Sequence, residues 1–399
     1  TEVGWTSTRR GSLGIGVEDA TISHSLIQNW NPAGTGNLDG TDAANTPRFA
    51  SFYDTTVFPL NSQPIREYSE LDLRLLHGSP GIDAGDATGA PLTDLLGNHR
   101  VLDGNMDGVA IPDMGAYETL PILLVDGEST AGGDGLTWST AFNDLQTALS
   151  EAVYGQEIWV ADGTYHPTTG TDRRESFNLK NGVKMYGGFA GNETLQTQRN
   201  LLANRTVLSG DIGVAGDMSD NSFSVVTART LDPTTILDGF RISGGRSSLS
   251  GAGISGQNIY GTFANLVVEG NWADGDGGGA DIFVSATKPN FGGTFDPDEI
   301  NGPTWINCVF AGNRAQQGAG LRFSGSNAAC RMVKCTCRGN PASTTGGAGE
   351  QTTGEQFEGS NSRSWYNRAD DSTTPTAACI AGAGATRAAA RGERVGGAE

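Results

Sequence analysis

Cysteine is scarce in this chain and poorly placed for a scaffold. The five cysteines, Cys308, Cys330, Cys335, Cys337 and Cys379, all lie in the last quarter, so no disulfide framework spans the sequence. Cys335-Thr336-Cys337 lacks the two-residue spacer of a zinc or redox pair. Cys308 and Cys335 read instead as small buried hydrophobes. No apolar run approaches the ~18 residues of a membrane span. The stretch 121–125 is apolar but far too short. The chain opens at Thr1 with no charged n-region and no apolar h-region, which reads as a fragment or a processed piece. Only four histidines occur, His24, His77, His99 and His166, and they are scattered without H-E-x-x-H spacing. G-x-S-x-G is missing, so a nucleophile-elbow hydrolase has no support.

Glycine, by contrast, is abundant. It makes up 59 of 399 residues, about double the ~7% of ordinary globular chains. Glycine and proline together still fall short of the share that signals disorder, so glycine here punctuates many turns. The formal net charge of −19 repels phosphate backbones and argues against a nucleic-acid partner. The same charge suits Ca²⁺, which prefers carboxylate and carbonyl oxygens.

A repeat organises the second half. Asp238-Gly-Phe-Arg-Ile-Ser-Gly-Gly245 is followed by Ala264-Asn-Leu-Val-Val-Glu-Gly-Asn271. Ile306-Asn-Cys-Val-Phe-Ala-Gly-Asn313 and Val333-Lys-Cys-Thr-Cys-Arg-Gly-Asn340 come next. The offsets are 26, 42 and 27 residues, and the longest holds an insertion over residues 287–303. A second motif keeps the same beat at Gly251-Ala-Gly-Ile254, Gly277-Gly-Gly-Ala280 and Gly318-Ala-Gly-Leu321. Alternation such as Phe240/Ile242 and Leu266/Val268 puts one face inward. Gly and Asn supply the positive φ of sharp corners. Units this short cannot bury an apolar face alone, and stacking lets them share one core. The expected fold is all-β, a right-handed parallel β-helix, or solenoid. Residues 138–153 carry a helical stripe of Phe142, Leu145, Leu149, Ala152 and Val153, with Ser139 or Thr140 as N-cap and Gly155 as stop. This is the expected capping helix at the N-terminal end, and Glu157 to Tyr165 follows it as one strand.

These residues carry a resemblance. Asp134-Gly-Leu-Thr-Trp138, Ala141-Phe-Asn-Asp-Leu-Gln146, Glu157-Ile-Trp-Val-Ala-Asp-Gly-Thr-Tyr165 and Met185-Tyr-Gly-Gly-Phe189 are similar to the N-terminal cap of bacterial right-handed parallel β-helix repeat proteins. Val207-Leu-Ser-Gly-Asp211 and Ile236-Leu-Asp-Gly-Phe-Arg-Ile-Ser-Gly-Gly245 continue the match. Val309-Phe-Ala-Gly-Asn-Arg-Ala315 with Gly318-Ala-Gly320 resembles the polymorphic outer membrane protein repeat. Gly78-Ser-Pro-Gly-Ile-Asp-Ala-Gly-Asp86, Asp94, Gly97, Arg100 and Asp113-Met-Gly-Ala-Tyr-Glu118 resemble a choice-of-anchor Q domain. The resemblance implies three segments. Residues 1–118 end one β-helix unit, residues 119–349 cap and begin a second, and residues 350–399, without a strand pattern, form a disordered or out-of-frame tail. It also implies a secreted or cell-surface structural protein of adhesin type, extracellular or on the outer cell surface. Its partners would be polysaccharide or another cell.

Two constellations bear on chemistry. Asp103-Gly-Asn-Met-Asp-Gly108 fits D-x-[DN]-x-D-G, so Asp103, Asn105 and Asp107 are candidate Ca²⁺ ligands. Met114 occupies the twelfth position, where an EF-hand needs Glu, and Asp113 is the candidate substitute. Asp-rich turns also form without metal, as Asx turns. Asp274-Gly-Asp-Gly-Gly-Gly-Ala-Asp281 is a weaker calcium-turn pattern. The alternative function is a β-helix polysaccharide lyase or glycoside hydrolase, drawing on Asp238, Glu269, Asp274, Asp276, Lys184 and Arg241. The G-H-G and paired-Asp pattern of polygalacturonases is missing, so no catalytic residue is assigned. Gly251-Ala-Gly-Ile-Ser-Gly256 matches G-x-G-x-x-G but opens no expected helix, which removes its dinucleotide meaning.

Overall fold

The computed structural model describes residues 23–26, 34–46, 74–285, 302–325 and 329–345, together with the paired strands beyond them as far as Ala369. The chain divides into two compact units. The first is residues 1–123 with 134–137 and 292–294, and the second is the remainder.

The second unit is a parallel β-helix. From Glu157 to Gln351 each coil lays one strand in each of three sheets. The first sheet stacks Leu123–Val125, Glu157–Ala161, Lys184–Phe189, Ile236–Asp238, Thr262–Ala264, Thr304–Ile306, Ala329–Val333 and Gln356–Ser360. The second stacks Gly163–Tyr165, Thr206–Ser209, Phe240–Ser243, Val267–Glu269, Val309–Ala311, Thr336–Arg338 and Arg363–Trp365. The third stacks Phe177–Leu179, Val226–Leu231, Ile254–Ile259, Ala280–Val284, Leu321–Gly325 and Gly349–Gln351. Every strand-to-strand register between coils is parallel.

The repeat aligns in space as it does in sequence. Ala264 pairs with Asp238 and with Ile306, and Ile306 pairs with Val333. Ile254, Ala280 and Leu321 likewise stack in one row. Inward rows form the core: Leu208, Ile242, Val268, Phe310 and Cys337 in the second sheet, and Met185, Leu237, Phe263, Trp305 and Met332 in the first, all buried. Phe263 and Trp305 stack with centroids 4.6 Å apart, an added attraction for rings already out of water. The described cysteines Cys308, Cys330, Cys335 and Cys337 are buried thiols outside any disulfide. Burial pushes the thiols of Cys308 and Cys330 up, so they stay protonated and act as small hydrophobes.

Corners are closed by a buried asparagine ladder. Gly270, Gly312 and Gly339 take positive φ of 64°, 60° and 59°, and the asparagine after each turns its amide into the interior. Asn271 N donates to Asn313 Oδ1 at 3.1 Å, and Asn313 N donates to Asn340 Oδ1 at 2.9 Å. The amide nitrogens donate to carbonyls of neighbouring coils, Asn313 to Val268 O at 2.8 Å and Asn340 to Phe310 O at 2.9 Å. Side-chain amides thus satisfy buried backbone groups that no sheet reaches. The neighbouring glycines keep the coils close. A Cβ on Gly279 would stand 2.3 Å from Gly320 O.

The capping helix is shorter than its apolar stripe suggests. It spans Leu145–Glu151 and is N-capped by Asp144, whose carboxylate accepts from Gln146 N and Thr147 N. Trp138–Thr140 is a separate 3-10 turn. Phe142 instead joins the sheet through a bridge to Val125, and Val153 is exposed. Because the Asp144 carboxylate reaches two of the otherwise unpaired first-turn N–H groups, the helix starts at Leu145 and not at the serine upstream. Leu145, Ala148 and Leu149 are buried against Phe177–Leu179 and Glu157–Ala161. The single strand expected from Glu157 to Tyr165 is two strands, broken where Gly163 takes φ 140° and the chain passes from the first sheet to the second.

The insertion at 287–303 lies outside the described residues save its last two, as does Cys379. Beyond residue 349 the ladders continue. Gln356–Ser360 pairs with Ala329–Val333, and Arg368–Ala369 pairs with Pro341–Thr345. Residues 370–399 lie outside the described set. No described helix is long and apolar enough to cross a membrane.

Candidate functional site

In the first unit the described residues hold turns, a 3-10 helix at Ala43–Asn45 and isolated bridges. What fixes residues 81–119 is a knot of carboxylates taking backbone N–H donors. Asp113 is buried; its oxygens accept from Asp83 N at 2.9 Å and Thr119 N at 2.6 Å. Asp113 N donates to Glu118 Oε1 at 3.1 Å, and Glu118 N donates to Asp94 Oδ2 at 3.1 Å. Arg100 lies 3.7 Å from Glu118 and donates to Gly115 O at 2.6 Å. Gly85 closes against Pro112 O, where a Cβ would stand 2.6 Å away. The motif residues Asp83, Asp94, Arg100, Asp113 and Glu118 therefore hold one another in place.

The candidate calcium loop sits on this knot. Asp103 accepts from Asp107 N at 3.1 Å and Gly108 N at 2.8 Å, Asn105 from Asp107 N at 2.8 Å, and Asp107 from Val109 N at 2.9 Å. Met106 and Gly108 take positive φ, 62° and 90°. All three side chains accept from backbone N–H groups of one exposed turn, each with lone pairs left for a cation. Asp113 is not part of that turn, because both its oxygens are committed inside the unit. The carboxylate that does reach the turn is Asp83, which accepts from Gly104 N at 3.2 Å and Asn105 N at 2.9 Å. Sequence reasoning placed it in the Gly78 to Asp86 motif but not at this turn, because it lies some twenty positions upstream. Burial, with Asp103 and Asp107 adding to it, raises the pKa of Asp83. Burial also raises Asp113, and burial together with the charge of Asp113 pushes Glu118 up to about 7 despite Arg100. Among the described residues no three His, Cys, Asp or Glu side chains gather as a metal cage.

On the β-helix, the residues weighed for carbohydrate cleavage are each held in ion pairs between coils. Lys184 lies 3.9 Å from Glu157, Arg199 2.5 Å from Asp238 and Arg246 2.9 Å from Asp274. Arg241 pairs with Glu269. Asp238 also accepts from Asn265 Nδ2 at 2.7 Å. Arg322 bridges Asp276 at 3.4 Å and Asp281 at 3.2 Å. Asp281 is the carboxyl that the sequence did not single out for this role. Burial raises its pKa, and Arg322 pulls it back. The acids are thus distributed along the solenoid, each in an ion pair, with Asp276 and Asp281 sharing Arg322. The second calcium-turn pattern is drawn into the same arrangement, because Asp274, Asp276 and Asp281 all face arginines.

Comparison with protein-family models, with curated proteins and with solved structures found no match in any of the three.

Proposed function

We propose that the chain is a structural, adhesin-like module of the extracellular space or outer cell surface, whose β-helix presents a long outer face to polysaccharide or another cell. The observation that carries this reading is the commitment of each candidate acid and base to a neighbouring coil. A general base already neutralised by an arginine is poorly placed to take a proton, while such pairs do pin one coil to the next. The similarity of residues 78–118 to a choice-of-anchor Q domain and of residues 309–320 to polymorphic outer membrane protein repeats supports the surface role. Ca²⁺ at Asp103, Asn105 and Asp107 would tighten the first unit.

The rival reading is a carbohydrate-cleaving enzyme, and Asp276 and Asp281 on Arg322 are the arrangement that favours it. Assays on pectin, alginate and chondroitin, with and without Ca²⁺, decide between them. No release of reducing or unsaturated ends is expected, alongside retention of the chain on at least one polysaccharide or cell-wall preparation. Cleavage that disappears in Asp281→Asn would establish the enzyme instead.

A further inference from the structure

Where the chain passes from the second sheet to the third, five successive coils present arginine and aromatic side chains in alternation. Arg173 on the first coil lies 4.4 Å over the ring of Phe223 on the next. Arg246 follows, in register with Trp272, and Trp272 is bridged to Arg314 on the coil after. The guanidinium carbons of Arg246 and Arg314 stand 4.4 Å and 4.3 Å from the centre of the Trp272 ring. Arg173 is tied down by bonds to Asn221 O at 2.7 Å and Arg246 O at 2.8 Å. The column reaches solvent along its length, and Arg314 is exposed.

We propose that this column binds a polysaccharide bearing uronate carboxylates, laid along the coil axis. The inference rests on the surface-binding reading above and names its ligand class. Charge is the first argument. Elsewhere on the β-helix of this chain of net charge −19, Arg199, Arg241 and Arg322 each face an acid. In this column three guanidiniums share one carboxylate, that of the half-exposed Asp274 on Arg246. Among the described residues neither Arg173 nor Arg314 has a carboxylate partner; their contacts are carbonyl oxygens and rings. Geometry is the second. A guanidinium over a ring can still turn N–H groups to a planar carboxylate; Arg314 is the most exposed of the three, while Arg173 spends two nitrogens on carbonyls and Arg246 donates to Ser247 O and pairs with Asp274. Spacing is the third. Coils stack ~4.8 Å apart, so cations on alternate coils recur every ~9.6 Å, the span of a disaccharide in an extended polymer.

The test uses the full chain and titrates it with polygalacturonate, with its methyl ester, with dextran and with a single-stranded oligonucleotide. Polygalacturonate is expected to bind with an affinity that falls as salt rises, and the ester and dextran to bind far less. Arg314→Gln should weaken binding about tenfold, the loss of one charge-assisted contact, with circular dichroism and melting unchanged. Arg246→Gln with Arg314→Gln should abolish it. Polygalacturonate binding that the double variant retains, or equal binding of the ester, overturns the inference and leaves the surface-binding reading intact. Preference for the oligonucleotide also overturns it. Failure to retain any glycan or cell-wall preparation overturns both.

Discussion

Replacing Asn313 by leucine tests the asparagine ladder as the device that holds the coil corners. The side chain is fully buried and makes four hydrogen bonds. Its oxygen accepts from the backbone and amide nitrogens of Asn271, both at 3.1 Å. Its nitrogen donates to Val268 O at 2.8 Å and Asn340 Oδ1 at 3.1 Å. Leucine has the same branching and heavy-atom count and is bulkier, so none of the effect comes from a cavity and any overpacking adds to it. What it leaves is Asn271 N–H without its acceptor and Val268 O without this donor, both out of water. At about 1–3 kcal/mol for each buried polar group left unmet, the loss is about 4 kcal/mol. Chemical denaturation followed by circular dichroism measures it, with Gln257→Leu on the exposed face of a strand as the control, expected within about 0.5 kcal/mol of the parent. Asn313→Asp sharpens the test. A carboxylate keeps the bonds from Asn271 but sets an oxygen against Val268 O and Asn340 Oδ1. Its folded pKa is therefore raised, so the variant is most stable below the ordinary carboxylate pKa and weakens as pH rises through the folded value. An Asn313→Leu midpoint indistinguishable from the parent would refute the claim that these bonds hold the corners.

Gly279→Ala should cost several kcal/mol in the same assay, because its Cβ would stand 2.3 Å from Gly320 O and neither backbone can withdraw without breaking the sheet; a neutral result would show that the coils can separate there. Burial raises Glu118 from 4.5 to about 7, so its contribution is complete below pH 4.5 and is lost as pH rises towards 7, about 3 kcal/mol in all. Calorimetry of the full chain across that range should show the first unit weakening, and Glu118→Gln should flatten the trend. A saturating excess of Ca²⁺, a hundredfold over Kd, should stabilise the first unit by about 2.7 kcal/mol. Asp107→Ala should remove that gain, and a titration without heat or a melting shift would leave the loop as a metal-free Asx turn.

Much of the β-helix was legible because its corner chemistry repeats. The offsets of 26, 42 and 27 residues fall on the true register because a glycine with positive φ must recur at each corner, and nothing else substitutes for it cheaply. The earlier coils escaped the same reading. Lys184 and Ile236 are ladder neighbours 52 residues apart, and the excursions at 190–205 and 211–221 hide the period while leaving the ladder intact. The asparagines divided into two roles. Asn265 and Asn307 do take positive φ, 52° and 54°, as their residue type suggests. Asn271, Asn313 and Asn340 leave the positive φ to the glycine before them and are buried for their amides. Position after glycine separates the two, and composition does not.

The candidate sites were legible in proportion to how local they are. D-x-N-x-D-G is a local pattern, and each of its three side chains bonds an N–H within five residues. Asp83 reaches the same turn only because the chain doubles back through Gly85 and Pro112. Asp113, adjacent in sequence, is drawn instead to Asp83 N and Thr119 N. The same contrast governs the β-helix surface. An outward acid or arginine announces itself by alternation along a strand, but its partner is set by the coil above or below, 27 to 46 residues away. Arg241 finds Glu269 and Arg322 finds Asp281 through stacking alone. In a solenoid the chemistry of a surface residue is therefore a property of the column it joins. The column of Arg173, Phe223, Arg246, Trp272 and Arg314 is visible only once the coils are aligned, because insertions put unequal lengths of chain between its members.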